Sequence, residues 1–269
     1  MADKKQKINL FINSLGIFLS SFFLVKISII LVKLFTSWGF NIDTKLVNFR
    51  LMGISPASSD VWTTPSVFSF YSVDIYVSIF FLVLSLISFK QSSGKSTKTA
   101  VGYLWLGFSA MHSIFAGIMA GIVTKSNVFH FLQWMYIPYF VMMPVAIAMP
   151  LFMFGSGWVY NRNFLITMPA TVTSIDLKAS RTIMFYSFFL PVIAGLILLT
   201  ITVSFNFKRY DFYELFSLII LAFPSMLYLN FKDQGRRSYN YSDSAFFIPL
   251  ISGIIFCIIF FIIVAVTRL

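Results

Sequence analysis

Residues 67–89 read VFSFYSVDIYVSIFFLVLSLISF, and Asp74 is the only charged side chain among them. About 20 apolar residues in a helix cross the roughly 30 Å hydrocarbon core of a bilayer. The run therefore predicts a membrane-spanning helix. Similar runs follow along the chain, and they predict seven spans at about 8–35, 67–89, 100–123, 132–154, 182–203, 215–229 and 246–266. The predicted fold class is all-α, a polytopic transmembrane helix bundle that forms a single domain over residues 1–269.

The composition agrees with a membrane protein. Hydrophobic residues make up 58% of the 269 residues and charged residues only 11%, whereas a soluble domain carries about 25% charged residues. The formal net charge of +11 would suggest nucleic acid as a partner of a soluble protein. Here the Lys and Arg residues lie mainly between the spans, where they determine membrane topology, and no nucleic-acid partner is predicted. The single cysteine, Cys257, lies inside the last span, so no disulfide framework is expected.

The distribution of basic residues predicts the orientation. Twelve Lys and Arg residues lie in the N-terminal tail and in the second, fourth and sixth connections, and six lie in the alternate connections and at the C-terminus. The positive-inside rule therefore predicts a cytoplasmic N-terminus and an external C-terminus. The first span follows a basic tail, is long, and lacks a small-x-small cleavage site. We interpret it as a retained signal anchor.

Two connections are long. The first, 36–66, is rich in Gly, Pro and Ser and is flanked by Trp38 and Trp62, as expected at the headgroup level. It predicts an ordered loop or a short interfacial helix, with a helix cap near Thr64. The second, 158–181, predicts a β-hairpin or an extended segment.

The third span carries small residues every four positions, Ser109, Ser113, Gly117 and Gly121. In a helix this spacing places them on one face, which allows another helix to approach closely. We therefore predict a helix-packing face at these four residues.

Lys26, Asp74 and His112 are ionisable residues that lie deep within predicted spans. An ionisable residue in a membrane is costly and is by default a functional hypothesis. The structural alternative is a Lys26–Asp74 ion pair. The functional alternative is an aqueous or proton-linked site that includes His112.

The sequence offers only two histidines as candidate ligands for a metal or haem. His112 and His130 are candidate metal or haem ligands, but no Cys or carboxylate cluster accompanies them, and neither a metal nor haem is the favoured prediction. The sequence contains no HExxH, GxSxG or Walker motif, and no catalytic residues are predicted.

The stretch WLGFSAMHS at 105–113, with Gly117, Gly121 and the QWMY of 133–136, carries a family resemblance. It resembles a group of uncharacterised multi-pass membrane proteins of Bacteroidetes-type bacteria, remotely similar to site-2-protease-like membrane metallopeptidases. The resemblance covers about 100–157 and implies an inner-membrane location in a Gram-negative cell. The zinc-binding Glu and second His are missing after His112, so it implies no peptidase activity.

The sequence favours a non-catalytic inner-membrane protein, a subunit or scaffold of a membrane complex. Its predicted partners are the lipid bilayer and another membrane protein or a second copy of itself. The first alternative is a transporter or channel-like protein with an intramembrane polar site. The second is a membrane-embedded metal or haem protein or a non-standard peptidase relative.

Overall fold

Eight α-helices account for most of the residues that the structure describes. The computed structural model describes residues 4–92, 97–167, 182, 184–227 and 247–266. Within these ranges the helices are α1 Lys4–Gly39, α2 Thr64–Gln91, α3 Thr97–Thr124, α4 Val128–Trp134, α5 Tyr139–Ile166, α6 Leu190–Val203, α7 Arg209–Ala222 and α8 Phe247–Val266. A one-turn π-helix, Phe185–Phe189, precedes α6, and 3-10 turns at Ser204–Asn206 and Phe223–Ser225 flank α7.

Five helical segments in the described ranges are long and apolar enough to cross a membrane. They are Lys7–Gly39, Thr64–Gln91, Thr99–Thr124, Tyr139–Phe164 and Phe185–Val203. This finding supports the predicted class, a helical bundle of membrane-spanning segments. Helix α7 is shorter, with 14 residues, and the described apolar part of α8 is Ile248–Ile262.

Helix α3 lies at the centre of the bundle and packs against α1, α2, α5 and α7. Trp105 on α3 is fully buried and its ring meets aromatic rings from three other elements, Phe18 at 5.0 Å, Phe164 at 5.0 Å and Phe188 at 5.1 Å between centroids. Large aromatic side chains contribute much of the dispersion energy of a core, so this cluster joins α1, α3, α5 and the π-helix.

The predicted bounds of the fourth span are wrong. Helix α5 starts at Tyr139 rather than at 132 and continues to Ile166, while the preceding α4 is a separate short helix. The break follows from the backbone, because Tyr136 has a φ of 56° and Pro138 cannot continue a helix from α4. Pro144 and Pro150 lie inside α5. Helix α5 therefore occupies the start of the segment 158–181, which was predicted to be a β-hairpin or extended, and that prediction is wrong up to Ile166. Residues 168–181 of this segment lie outside the described residues.

The first long connection contains a β-hairpin instead of a loop or an interfacial helix. Strands β1 Thr44–Val47 and β2 Arg50–Gly53 pair antiparallel, with Val47 opposite Arg50. The two-residue turn between them starts at Asn48, whose φ of 55° is a conformation that Asn tolerates better than most residues. The strands were missed because neither extends beyond four residues.

Helix α2 is capped close to the predicted position. Thr63 Oγ1 accepts a hydrogen bond from the Ser66 amide at 3.3 Å, and Ser66 Oγ in turn accepts one from the Thr63 amide at 2.8 Å. Trp62 Nε1 donates to the Ser55 carbonyl oxygen at 3.1 Å and fastens the end of the connection to its start.

The sixth predicted span is displaced. Helix α7 begins at Arg209, six residues before the predicted start at 215, and it ends at Ala222 before a 3-10 turn that contains Pro224. This shift places Asp211 and Glu214 on the helix rather than in the preceding connection.

Candidate functional site

The described part of the bundle contains three ion pairs, each joining a cation of α1 or β2 to an acid of α2 or α7. They are Lys26–Glu214, Lys33–Asp74 at 2.7 Å and Arg50–Asp211 at 3.4 Å. Two of them, the Lys26 and Arg50 pairs, share α7.

The Lys26–Glu214 pair is buried inside the bundle. The Lys26 ammonium bonds to Glu214 Oε1 and also lies 3.4 Å from Ser113 Oγ on α3. The imidazole Nε2 of His112 is 2.9 Å from the backbone carbonyl oxygen of Glu214. A carbonyl oxygen can only accept, so Nε2 carries the proton of this bond. All four residues are buried, and the group therefore brings an ammonium, a carboxylate and an imidazole together out of contact with solvent.

Asp74 belongs to a different pair. Its carboxylate accepts from the buried Lys33 ammonium, which also lies 5.3 Å from the Phe70 ring centre. The predicted Lys26–Asp74 pair is therefore wrong, and Lys26 and His112 form a site without Asp74. Lys26 and Lys33 are seven residues apart, so both project from nearly the same face of α1 and meet different neighbours at different depths. The depth of Lys26 in the predicted span was therefore not enough to identify its acidic partner.

Arg50 and Asp211 fasten the hairpin to α7. Asp211 accepts from Arg50 Nη2 at 3.4 Å, from Asn48 Nδ2 at 2.6 Å and from the Lys208 amide at 2.9 Å. The Arg50 guanidinium lies over the Tyr210 ring at 3.6 Å, which is a cation–π contact. The hairpin turn is thus held to the start of α7 by charge-assisted bonds.

Asp211 and Glu214 are three residues apart on α7 and therefore neighbours on its surface. The Arg50–Asp211 pair consequently lies one turn from the Lys26–Glu214 pair. We call Lys26, His112, Arg50, Asp211 and Glu214 the ionic network. It leads from the end of the bundle that carries the hairpin toward the centre of α3, and its groups are suited to hold an ion or exchange a proton.

The face of α3 that carries the small residues contacts side chains of neighbouring elements rather than the backbone of another spanning helix. Ser113 contacts Lys26, and a Cβ at Gly117 would come no closer than 3.9 Å to the hydroxyl of Tyr210. Gly121 is tight, since its Cβ would lie 2.9 Å from the Ser126 carbonyl oxygen, but Ser126 belongs to the turn that follows α3. The predicted close approach of another spanning helix is therefore wrong at Gly117 and Gly121. The fourth residue of the pattern, Ser109, is buried.

Close helix approaches occur at other glycines. A Cβ at Gly157 would overlap the Leu221 carbonyl oxygen of α7, and one at Gly16 would lie 2.7 Å from Leu250 Cα of α8. The four-residue spacing rule did not indicate either position.

The histidines gain no support as metal ligands. His130 lies on α4 with its ring 5.3 Å from that of Tyr71, and burial lowers the pKa of His130, so the imidazole is neutral at neutral pH. His112 is engaged with Glu214. In the part of the chain that the structure describes, no three His, Cys, Asp or Glu side chains form a group that could hold a metal ion.

Four members of the three pairs were missed in the sequence, Lys33, Arg50, Asp211 and Glu214. The available signal was charge matching, because the predicted spans contain two lysines, Lys26 and Lys33, but only one acid, Asp74, so a second acid had to come from the edge of a span. The displaced start of α7 concealed it.

Comparisons with protein-family models, with curated proteins and with solved structures found no match. The fold and the site therefore define the class of protein, a helical bundle with five described segments long and apolar enough to cross a membrane and with a buried ionic network.

Proposed function

We propose that the chain is a seven-span inner-membrane protein with a cytoplasmic N-terminus, and that it is a transporter or channel-like protein. In this proposal Lys26, Glu214 and His112 hold or relay a proton or a small ion. The observation that carries it is the burial of three ionisable residues joined by hydrogen bonds inside the bundle, Lys26 to the Glu214 carboxylate and His112 to the Glu214 backbone carbonyl oxygen.

The helix lengths support seven spans. Helix α7 has 14 residues and is followed by a three-residue 3-10 turn. At about 1.5 and 2.0 Å per residue these give roughly 27 Å, close to the thickness of the hydrocarbon core. Helix α8, with 20 residues, reaches about 30 Å. The segments before α2, after α3 and before α7 meet at one end of the bundle, because residues of all three line one cavity. This arrangement agrees with two crossings, α2 and α3, between the first and second of these segments and two more, α5 and α6, between the second and third.

Stability alone is a poor reason for the Lys26–Glu214 pair. Removing two charges from water costs several kcal/mol per ion, and apolar residues of similar size often replace such a pair without loss. Ionisable residues within membrane helices are rare and commonly mark ion or proton pathways. His112 and Ser113 add groups that exchange protons or accept hydrogen bonds beside the pair.

The test is flux in vesicles that contain the purified protein. An internal pH-sensitive dye reports protons under a potassium diffusion potential, and ion-sensitive dyes report Na⁺, K⁺ and Cl⁻. We expect flux above that of empty vesicles, and we expect Glu214→Gln to abolish it.

The matched control is the double variant Lys33→Met/Asp74→Leu, which removes an ion pair outside the ionic network. It should retain the flux. Wild-type flux equal to that of empty vesicles for all four ions would overturn the proposal, and so would equal loss in the control and in Glu214→Gln.

The second candidate is a non-catalytic subunit or scaffold. Helices α2 and α5 present large apolar side chains outward, including Phe80, Phe140, Ile147 and Leu151. Lipid or a partner helix would cover such a surface. Affinity purification from native membranes, followed by mass spectrometry, tests this candidate. A partner recovered in equal amount, together with no flux, would favour it over the transporter.

A further inference from the structure

A basic cavity lies at the hairpin end of the bundle. Its volume is about 460 Å³, and four cationic residues line it, Arg50, Lys125, Lys208 and Arg209. They come from three separate parts of the chain, the hairpin, the turn after α3 and the start of α7. Thr124 and Ser126, in the last turn of α3 and the turn after it, also line the cavity.

Among the residues that the structure describes, no acidic side chain lines the cavity to balance these charges. Asp211 lies nearby, but its carboxylate already accepts from Arg50, Asn48 and the Lys208 amide. Within the described ranges Lys125, Lys208 and Arg209 form no salt bridge. Three of the four charges, those of Lys125, Lys208 and Arg209, are thus without an acidic partner among the described residues, and an anion in the cavity would reduce their mutual repulsion.

Membrane topology does not explain this concentration of charge. The connections at the hairpin end hold fewer basic residues than those at the other end. Of the five that they do hold, Lys45 alone does not line the cavity. Basic residues placed only to orient a protein need not converge, so their convergence across three connections indicates a binding site.

Arg50 is built into the cavity wall. It is only 7% exposed, and the contacts with Asp211 and the Tyr210 ring fix its guanidinium. Its Nε is buried and has no hydrogen-bond partner among the described residues. A guanidinium fixed in a cavity wall is suited to bind the oxygens of phosphate or carboxylate groups.

We propose that this cavity binds a phosphate-bearing anion. Its volume lies in the range of small-molecule sites and exceeds that of a bare phosphate, so the phosphate belongs to a larger molecule. A phospholipid headgroup and a free phosphorylated compound share this chemistry. The proposal does not depend on the transporter function and goes beyond it.

The test uses the full-length protein in nanodiscs of phosphatidylcholine. Glycerol 3-phosphate is titrated at constant ionic strength, and binding is read by isothermal calorimetry and by the unfolding temperature. In a parallel arm, native mass spectrometry compares retention of phosphatidic acid with that of phosphatidylcholine. Binding in the first arm identifies a free phosphorylated compound as a ligand, and selective retention in the second alone identifies a lipid headgroup.

The variants are Lys125→Gln/Arg209→Gln and, as a matched control, Lys45→Gln. Lys125, Arg209 and Lys45 are all exposed, so these changes should leave folding intact. Loss of two charge-assisted contacts should weaken binding by about tenfold or more, while the control should bind as wild type. Failure of both arms, equal binding of chloride, or equal weakening in the control would overturn the proposal. Absence of ion flux in the vesicle assay would contradict the transporter function but would not affect the outcome of these binding measurements.

Discussion

Lys26 on α1 and Glu214 on α7 form a buried ion pair although 188 residues separate them in the chain. The same glutamate accepts a bond from the His112 ring through its backbone carbonyl. Three helices, α1, α3 and α7, therefore meet at one charged point. Double-mutant cycles can measure whether Lys26 is coupled in stability to Glu214 and not to Asp74.

Lys26→Met should destabilise the protein by about 3–5 kcal/mol, because it leaves Glu214 charged and buried without a partner. The double variant Lys26→Met/Glu214→Leu should be much milder, whereas Lys26→Met/Asp74→Leu should show no such rescue. Unfolding in a detergent titration gives the free energies for both cycles. A coupling between Lys26 and Asp74 as large as that between Lys26 and Glu214 would contradict the assigned partners.

Gly157→Ala should disturb the packing of α5 on α7, because the new Cβ would overlap the Leu221 carbonyl oxygen. Gly155, two residues earlier on α5, has no neighbour within 4 Å of its Cβ position, so Gly155→Ala is the matched control. That change should be neutral or stabilise the helix by up to about 1 kcal/mol. Thermal unfolding in detergent distinguishes the two, and equal effects would argue against the close approach at Gly157.

Gly117→Ala should be tolerated, since its Cβ would lie 3.9 Å from the Tyr210 hydroxyl. Gly117→Leu should lower stability, because its longer side chain would displace Tyr210 and with it the ring beneath Arg50. The yield of monodisperse protein in gel filtration and the unfolding temperature measure both effects. A severe loss with alanine would show that the Gly117 face is more crowded than the structure indicates.

Asn48→Gly and Asn48→Ala separate two roles of the hairpin turn. Both remove the bonds from Asn48 Nδ2 to Asp211 and to the Asn206 carbonyl oxygen. Only alanine adds the cost of a positive φ, about 1–2 kcal/mol. Alanine should therefore be the more destabilising by that amount in a detergent unfolding titration. Equal effects would mean that the turn relaxes to a negative φ.

The proposed topology predicts opposite accessibility of two connections. In a Cys257→Ala background, Ser58→Cys should react with an impermeant maleimide in intact spheroplasts. Lys95→Cys should react only after the membrane is permeabilised, because the second connection is predicted to be cytoplasmic. Labelling of both sites from the same side would contradict this arrangement.

Sequence alone determined the helical membrane class. Without water in the hydrocarbon core, a long apolar run must satisfy its own backbone groups, and a helix does so within the segment. Local chemistry also placed the cap near Thr64. It did not predict where α5 and α7 begin. The apolar residues continue through Met135 and Tyr136, so they do not mark the start of α5. The first turns of α7 are polar, so hydrophobicity alone does not assign them to a helix.

Only the tertiary structure decided which charges meet. A residue's depth follows from its position in a helix, but its partner depends on how each helix is rotated about its axis and on which helices are neighbours. Packing of the whole bundle, around Trp105 and its surrounding rings, determines both. For this reason Lys26 meets Glu214 rather than Asp74, and basic residues from three distant connections line one cavity that no local pattern in the chain indicates.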